Sequence, residues 1–62
     1  LHLELPNNLT VSTIVLYNLL GGEVKTYNAT ARELNTKGIP NGTYLLKITT
    51  DEGFITKKVM LQ

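Results

Sequence analysis

The sequence contains no cysteine, no tryptophan, one phenylalanine and a single histidine. Without cysteine there is neither a disulfide staple nor a thiolate metal site, and the absence is neutral on cellular compartment. His2 and Ser12 are the only residues of their types. A Ser-His-carboxylate triad would have to bring both together from different strands, and His2 reads better as an exposed strand residue between the apolar Leu1 and Leu3. The carboxylates are Glu4, Glu23, Glu33, Asp51 and Glu52, and only the last two are adjacent. They fall in a turn, where neighbouring acids are usually solvated, and they supply fewer oxygen ligands than a calcium site takes. Gly21-Gly22 is followed by neither a helix pattern nor a Lys-Ser/Thr pair, so a phosphate-cradling loop is not supported. No catalytic residue, cofactor site or metal site follows from this inventory.

Charge and hydropathy exclude further classes. The net charge of +1 is small and dispersed, which gives no footprint for nucleic acid, and there is no polybasic run for a membrane surface. No apolar run approaches the roughly 18 residues that a membrane-spanning helix needs, and no charged-then-apolar leader opens the chain. A length of 62 residues bounds the answer to one small domain, residues 1–62. Chains of this size bury only about 60% of their unfolded surface. Ordering costs roughly 1.5 kcal/mol per residue, so a core this small barely offsets it.

What is present is a succession of short alternating segments. Leu1, Leu3 and Leu5 alternate with His2 and Glu4, the period of a half-buried strand, and Pro6-Asn7-Asn8 ends it. Val11 to Leu19 is rich in β-branched residues, with Ile14 and Leu16 on one face and Val15 and Tyr17 on the other, as in a central strand. Gly21-Gly22 suits a tight reversal, after which Val24 is expected inward and Lys25 outward. Ala31 to Leu34 is too short for a stable helix and is better read as extended, with Leu34 buried.

The last third is the best-defined part. Pro40-Asn41-Gly42 is turn chemistry, because proline presets φ and Asn-Gly tolerates positive φ. Tyr44, Leu46 and Ile48 then share the face expected to be inward, opposite Thr43, Leu45, Lys47 and Thr49. Asp51-Glu52-Gly53 makes a second reversal, with Gly53 free to take a left-handed conformation. In the final strand Ile55, Lys57, Val59 and Leu61 alternate with Phe54, Thr56, Lys58 and Met60. Both sets contain apolar residues, so the alternation does not decide which faces inward, although Tyr44 and Phe54 are both expected to pack inside. Turns at intervals of about ten residues argue for an all-β, Ig-like antiparallel sandwich of about six strands. Three Asn-x-Thr sequons begin at Asn8, Asn28 and Asn41, but asparagine, threonine and glycine are residues that turns select anyway.

The order of these pieces carries a resemblance. Gly42-x-Tyr44-x-Leu46-x-Ile48, then Gly53, then Thr56-Lys57-Lys58-Val59 near the end, resembles the C-terminal sorting domain of the bacterial type IX secretion system, type A. Upstream, Ile14-x-Leu16-Tyr17-Asn18-Leu19-x-Gly21-x-x-Val24 is similar to that family's middle block, and Leu34 before Gly38-Ile39-Pro40 to its lead-in. Together these pieces cover nearly the whole chain. No one of them is specific alone; their order and spacing are.

The resemblance implies a non-enzymatic signal that directs an attached cargo across the outer membrane, followed by sortase cleavage and attachment to the cell surface. The implied partners are the type IX machinery, its sortase and an N-terminal cargo domain of the same precursor. Gly21, Gly42, Tyr44 and Gly53 are then fold-shaping positions, and Lys57, Lys58, Val59 and Leu61 are recognition candidates. For Lys57-Lys58 a structural alternative stands beside recognition, namely protection of an edge strand against aggregation. The family usually begins with a further short strand, so residues 1–62 are expected to be part of a longer secreted precursor lacking it. The edge left unpaired would also allow a homodimer by edge pairing. The alternative from another class is an adhesive or carbohydrate-binding β-sandwich module, which would need a cluster of solvent-facing aromatics.

Overall fold

A computed structural model describes all of residues 1–62. It is all-β, with four strands, β1 (Val11–Tyr17), β2 (Glu23–Tyr27), β3 (Gly42–Thr50) and β4 (Gly53–Leu61). They form one antiparallel sheet in the order β2-β1-β3-β4, which leaves β2 and β4 as edges. The two hairpins, β1–β2 and β3–β4, are joined through the central β1–β3 pairing by a long connection over residues 28–41.

Period-two alternation puts one face of this sheet in the core. Ile14 and Leu16 of β1 and Leu46 and Ile48 of β3 are almost fully enclosed, with Tyr44 and Leu61 beside them. Register explains the grouping: Ile14 lies opposite Ile48 and Leu16 opposite Leu46, so their side chains share a face. The second layer is not a sheet. Residues 1–5 and 31–34 run antiparallel across the core face, meeting at a single bridge between His2 and Glu33. The Leu3 N–H donates to the Arg32 carbonyl and the Leu34 N–H to the Leu1 carbonyl, both at 2.7 Å. This pair drives Leu3 and Leu34 into the core, with Leu5, Ala31 and Ile39 packed around them.

The strand count therefore differs from the six expected. The segments at 1–5 and 31–34 are extended and bury Leu3 and Leu34 as expected, but their ladder is too short to rank as strands. Pro6 and the 28–31 turn, which meet at one end of this ladder, stop the pairing there.

Two irregularities correct the assignment of faces. In β1, Val11 pairs with Thr50 and Thr13 with Thr49, so one extra residue sits at Ser12. The bulge reverses parity and turns Val11 toward the core face, where it packs against the cluster. In β2, Leu16 pairs with Lys25 and Tyr17 with Glu23, so Val24 is the bulged residue. Lys25 and Tyr27 consequently share the core face with Leu16 and Ile14, and Val24 is exposed, the reverse of the expected arrangement. Lys25 stays solvated because it lies at the sheet edge. Its ammonium reaches the Asn35 carbonyl at 3.1 Å and sits 5.3 Å from the Tyr27 ring centroid.

The opposite face of the sheet is open to solvent. Val15, Tyr17, Leu45 and Lys47 are half-buried there by their neighbours, and Phe54 and Met60 are exposed. Phe54 is thus on the outside, contrary to expectation, because it lies opposite Thr49 on the open face. Lys47 covers it, with its ammonium 4.5 Å from the ring centroid.

Candidate recognition edge

The candidate site is the C-terminal hairpin and its free margin. Its entry is fixed by Tyr44, which is 8% exposed and whose hydroxyl donates to the Pro40 carbonyl at 2.6 Å. A buried tyrosine bonded a few residues back along its own chain holds a corner, the role such residues play where strands enter β-sandwiches. Gly42 makes that corner possible. Its φ of +152° is unfavourable for a side-chain-bearing residue, whereas a Cβ there would make only ordinary contact with the Tyr44 ring, at 3.8 Å.

At the far end Asp51 and Glu52 form the tip, and Gly53, at φ +124°, closes it. Glu52 N–H donates to the Thr50 hydroxyl, which itself donates to the Gly53 carbonyl. Asp51 acts as a tie. Its carboxylate accepts from the Thr10 N–H at 3.2 Å, and its own N–H donates to the Thr10 carbonyl at 3.0 Å. The hairpin tip is thereby clipped to the lead-in of β1.

Between these two ends β3 and β4 pair without interruption from Gly42–Leu61 to Thr50–Gly53. Leu61 is buried, and Val59 and Ile55 pack partly against the core. This assigns the inward face of the last strand, which the alternation left open, to the Ile55, Lys57, Val59 and Leu61 set. Lys57 belongs to that face, opposite Leu46, and Lys58 to the open face, opposite Leu45, yet both are exposed because β4 is an edge and their long stems reach past its rim. Neither has an ion-pair partner, the two ion pairs of the molecule being those of His2. Val59 and Leu61 thus seat the strand, while the two lysines project from it on opposite sides.

The other named positions are dispersed. Gly21, at φ +87°, lies in the β1–β2 turn, at the opposite end of the sheet from the Asp51–Glu52 tip. That turn is organised by Asn18, whose side-chain oxygen accepts from the N–H groups of Leu20 and Gly22 at 3.0 and 2.8 Å. The local signal for it was an asparagine shortly before a double glycine. His2 and Ser12 are not brought together. Ser12 donates to the Thr49 carbonyl, while His2 bonds through Nδ1 to Glu33 and approaches Glu4 through Nε2 at 3.3 Å. The Glu33 hydrogen bond raises the His2 pKa above 6.5 against an opposing desolvation, and the Glu33 charge and the hydrogen bond and charge of Glu4 add to the rise. Burial raises the pKa of Tyr27, whose hydroxyl donates to the Asn35 carbonyl.

The surface has no pocket, and no three His, Asp or Glu side chains converge as a metal site would require. No helix is long and apolar enough to cross a membrane. What the arrangement offers is a long, unbroken strand edge bearing two unpaired cations.

No curated protein and no solved structure matches the chain. A family described as the secretion system C-terminal sorting domain matches it across residues 1–62. The match spans the whole chain, including the corner at Gly42-Tyr44 and the β4 edge, and so this chain belongs to the family of type IX secretion C-terminal sorting domains.

Proposed function

We propose that this domain is the non-enzymatic terminal part of a longer secreted precursor and that it delivers an N-terminal cargo to the outer-membrane type IX machinery. After passage, a sortase removes the domain and the cargo becomes attached to the cell surface. Family membership supports the sorting role. The observation that carries the mechanism is the free β4 edge, which pairs without a bulge along the whole of β3 and is open on its other side. An added strand would gain main-chain hydrogen bonds there, and side chains beside it would select the partner.

In this reading the residues divide into two groups. Gly42, Tyr44 and Gly53 shape the hairpin, with Gly21 shaping the other. Lys57 and Lys58 address the machinery with their side chains, and Val59 and Leu61 contribute backbone while their side chains hold the strand on the core. An adhesive or carbohydrate-binding role has less support, because Phe54 is the one exposed aromatic and Lys47 already covers it.

The test is a fluorescent reporter carrying a periplasmic signal, with and without residues 1–62 at its C-terminus, in a bacterium with a type IX system. Delivery of the tagged reporter to the surface or medium, with the untagged one retained, is the expected result. Equal retention of both would sink the proposal.

A further inference from the structure

The two sheet edges are not equivalent. β2 has 5 residues, carries the Val24 bulge, and has its core-face side closed off by Lys25 and Tyr27 where they bond Asn35. β4 has 9 residues, no proline and no bulge, so it is the edge on which another strand could lie in continuous register. Bulges and short edges discourage pairing, and β4 uses neither device.

The charges on β4 specify what could lie there. From Gly53 to Gln62 the only charged side chains are Lys57 and Lys58, and no carboxylate of the domain reaches either. Lys57 is also the midpoint of Gly53–Leu61. If a second copy paired antiparallel with the fullest overlap, Gly53 would meet Leu61 of the other copy and Lys57 would meet its counterpart directly. Like charges directly opposite destabilise a cross-strand pair, so this edge is built against itself. A foreign strand meets no such penalty.

We infer that β4 receives a partner strand with acidic residues at two consecutive positions. Directly opposed residues of paired strands share a face, and consecutive residues of one strand take opposite faces. Two adjacent carboxylates on the incoming strand would therefore meet Lys57 on the core-side rim and Lys58 on the open face at once. The pair would fix the register, since a slip of one residue turns the incoming strand's alternating side chains to the wrong faces. The inference rests on the sorting reading and specifies the chemistry of the partner at the same edge.

The test titrates the isotopically labelled chain with a nine-residue peptide of alternating threonine and valine with a central Glu-Glu, followed by NMR. Peptides with Gln-Gln and Lys-Lys at the centre are the comparators. The expected result is shifts confined to β3 and β4, with the Glu-Glu peptide binding roughly two- to thirtyfold more tightly than Gln-Gln, the range that two cross-strand ion pairs supply. Added salt should narrow the difference. The K57E/K58E variant, whose changes are exposed and should leave the spectrum away from β4 unchanged, should prefer the Lys-Lys peptide. Equal affinities, shifts on β2, or no binding by any peptide would overturn the inference. In cells the two readings separate. Undiminished delivery of a K57E/K58E fusion overturns the acidic partner and leaves the sorting role standing, whereas failure of the wild-type fusion removes the sorting role while the titration still decides the chemistry of the edge.

Discussion

Replacing Leu34 by alanine tests whether the two bridged segments are a structural layer or a loose covering. Leu34 is 2% exposed and, with Leu3, is one of two buried side chains that the covering segments give to a core otherwise built by the sheet. Removing a buried leucine to alanine costs about 2–5 kcal/mol, depending on how far the site collapses. A site between a sheet and a single bridged pair can partly relax, which places the loss near 3 kcal/mol. Domains of this kind have roughly 0.05–0.15 kcal/mol of stability per residue, or about 3–9 kcal/mol for a chain of this length. The substitution therefore removes a third or more of the total. For a domain of this size 1 kcal/mol shifts the melting temperature by roughly 4–8 °C, so Leu34→Ala should melt about 20 °C lower. The comparator is Leu20→Ala, since Leu20 is 97% exposed and should change little. Calorimetry or circular dichroism reads the melting, and hydrogen exchange should show the Leu3 and Leu34 amides losing protection before those of β1 and β3. A Leu34→Ala melting temperature within about 5 °C of the Leu20→Ala value would refute the two-layer account.

Other substitutions probe the hairpin and the amino-terminal segment. Gly53→Ala should destabilise by about 1–3 kcal/mol even though nothing lies within 4 Å of the added Cβ, because the cost is the φ of +124°; chemical denaturation measures it. Tyr44→Phe keeps the packing and removes one hydrogen bond, so it should cost about 1 kcal/mol in the same assay, well below Tyr44→Ala. The His2 pKa is raised in the folded state, so the stabilisation from its contact with Glu33 is fully present below the ordinary value of 6.5 and is lost as pH rises through the folded value. An NMR titration of His2 should give a folded pKa above 6.5 that returns toward it in Glu33→Gln; no change between the two would refute the assignment.

The strands were legible because each carries its own alternation: Ile14 and Leu16, and Tyr44, Leu46 and Ile48, bury as their spacing requires. Leu34 was legible for a similar reason, as an isolated apolar residue in a polar stretch. Phe54 was not. Its strand has apolar residues on both faces, and the deciding fact is the hairpin register that sets it opposite Thr49. The bulges at Ser12 and Val24 were equally hidden, since an extra residue shows only against the partner strand. The clip from Asp51 to Thr10 joins residues 41 positions apart, beyond any local signal. For the candidate site, the sequence marked the residues of the last strand but left undecided which of them seat it and which project from it. Its place at the edge of the order β2-β1-β3-β4 resolves this, leaving Val59 and Leu61 on the core and both lysines free.

The most direct test of the central claim is the distribution of a reporter fused to residues 1–62 in a pair of otherwise identical bacteria, one with a working type IX system and one without. Cell fractionation and surface proteolysis would measure how much fusion leaves the periplasm. The account predicts surface or extracellular fusion in the first strain and periplasmic fusion in the second. The same distribution in both strains would contradict it.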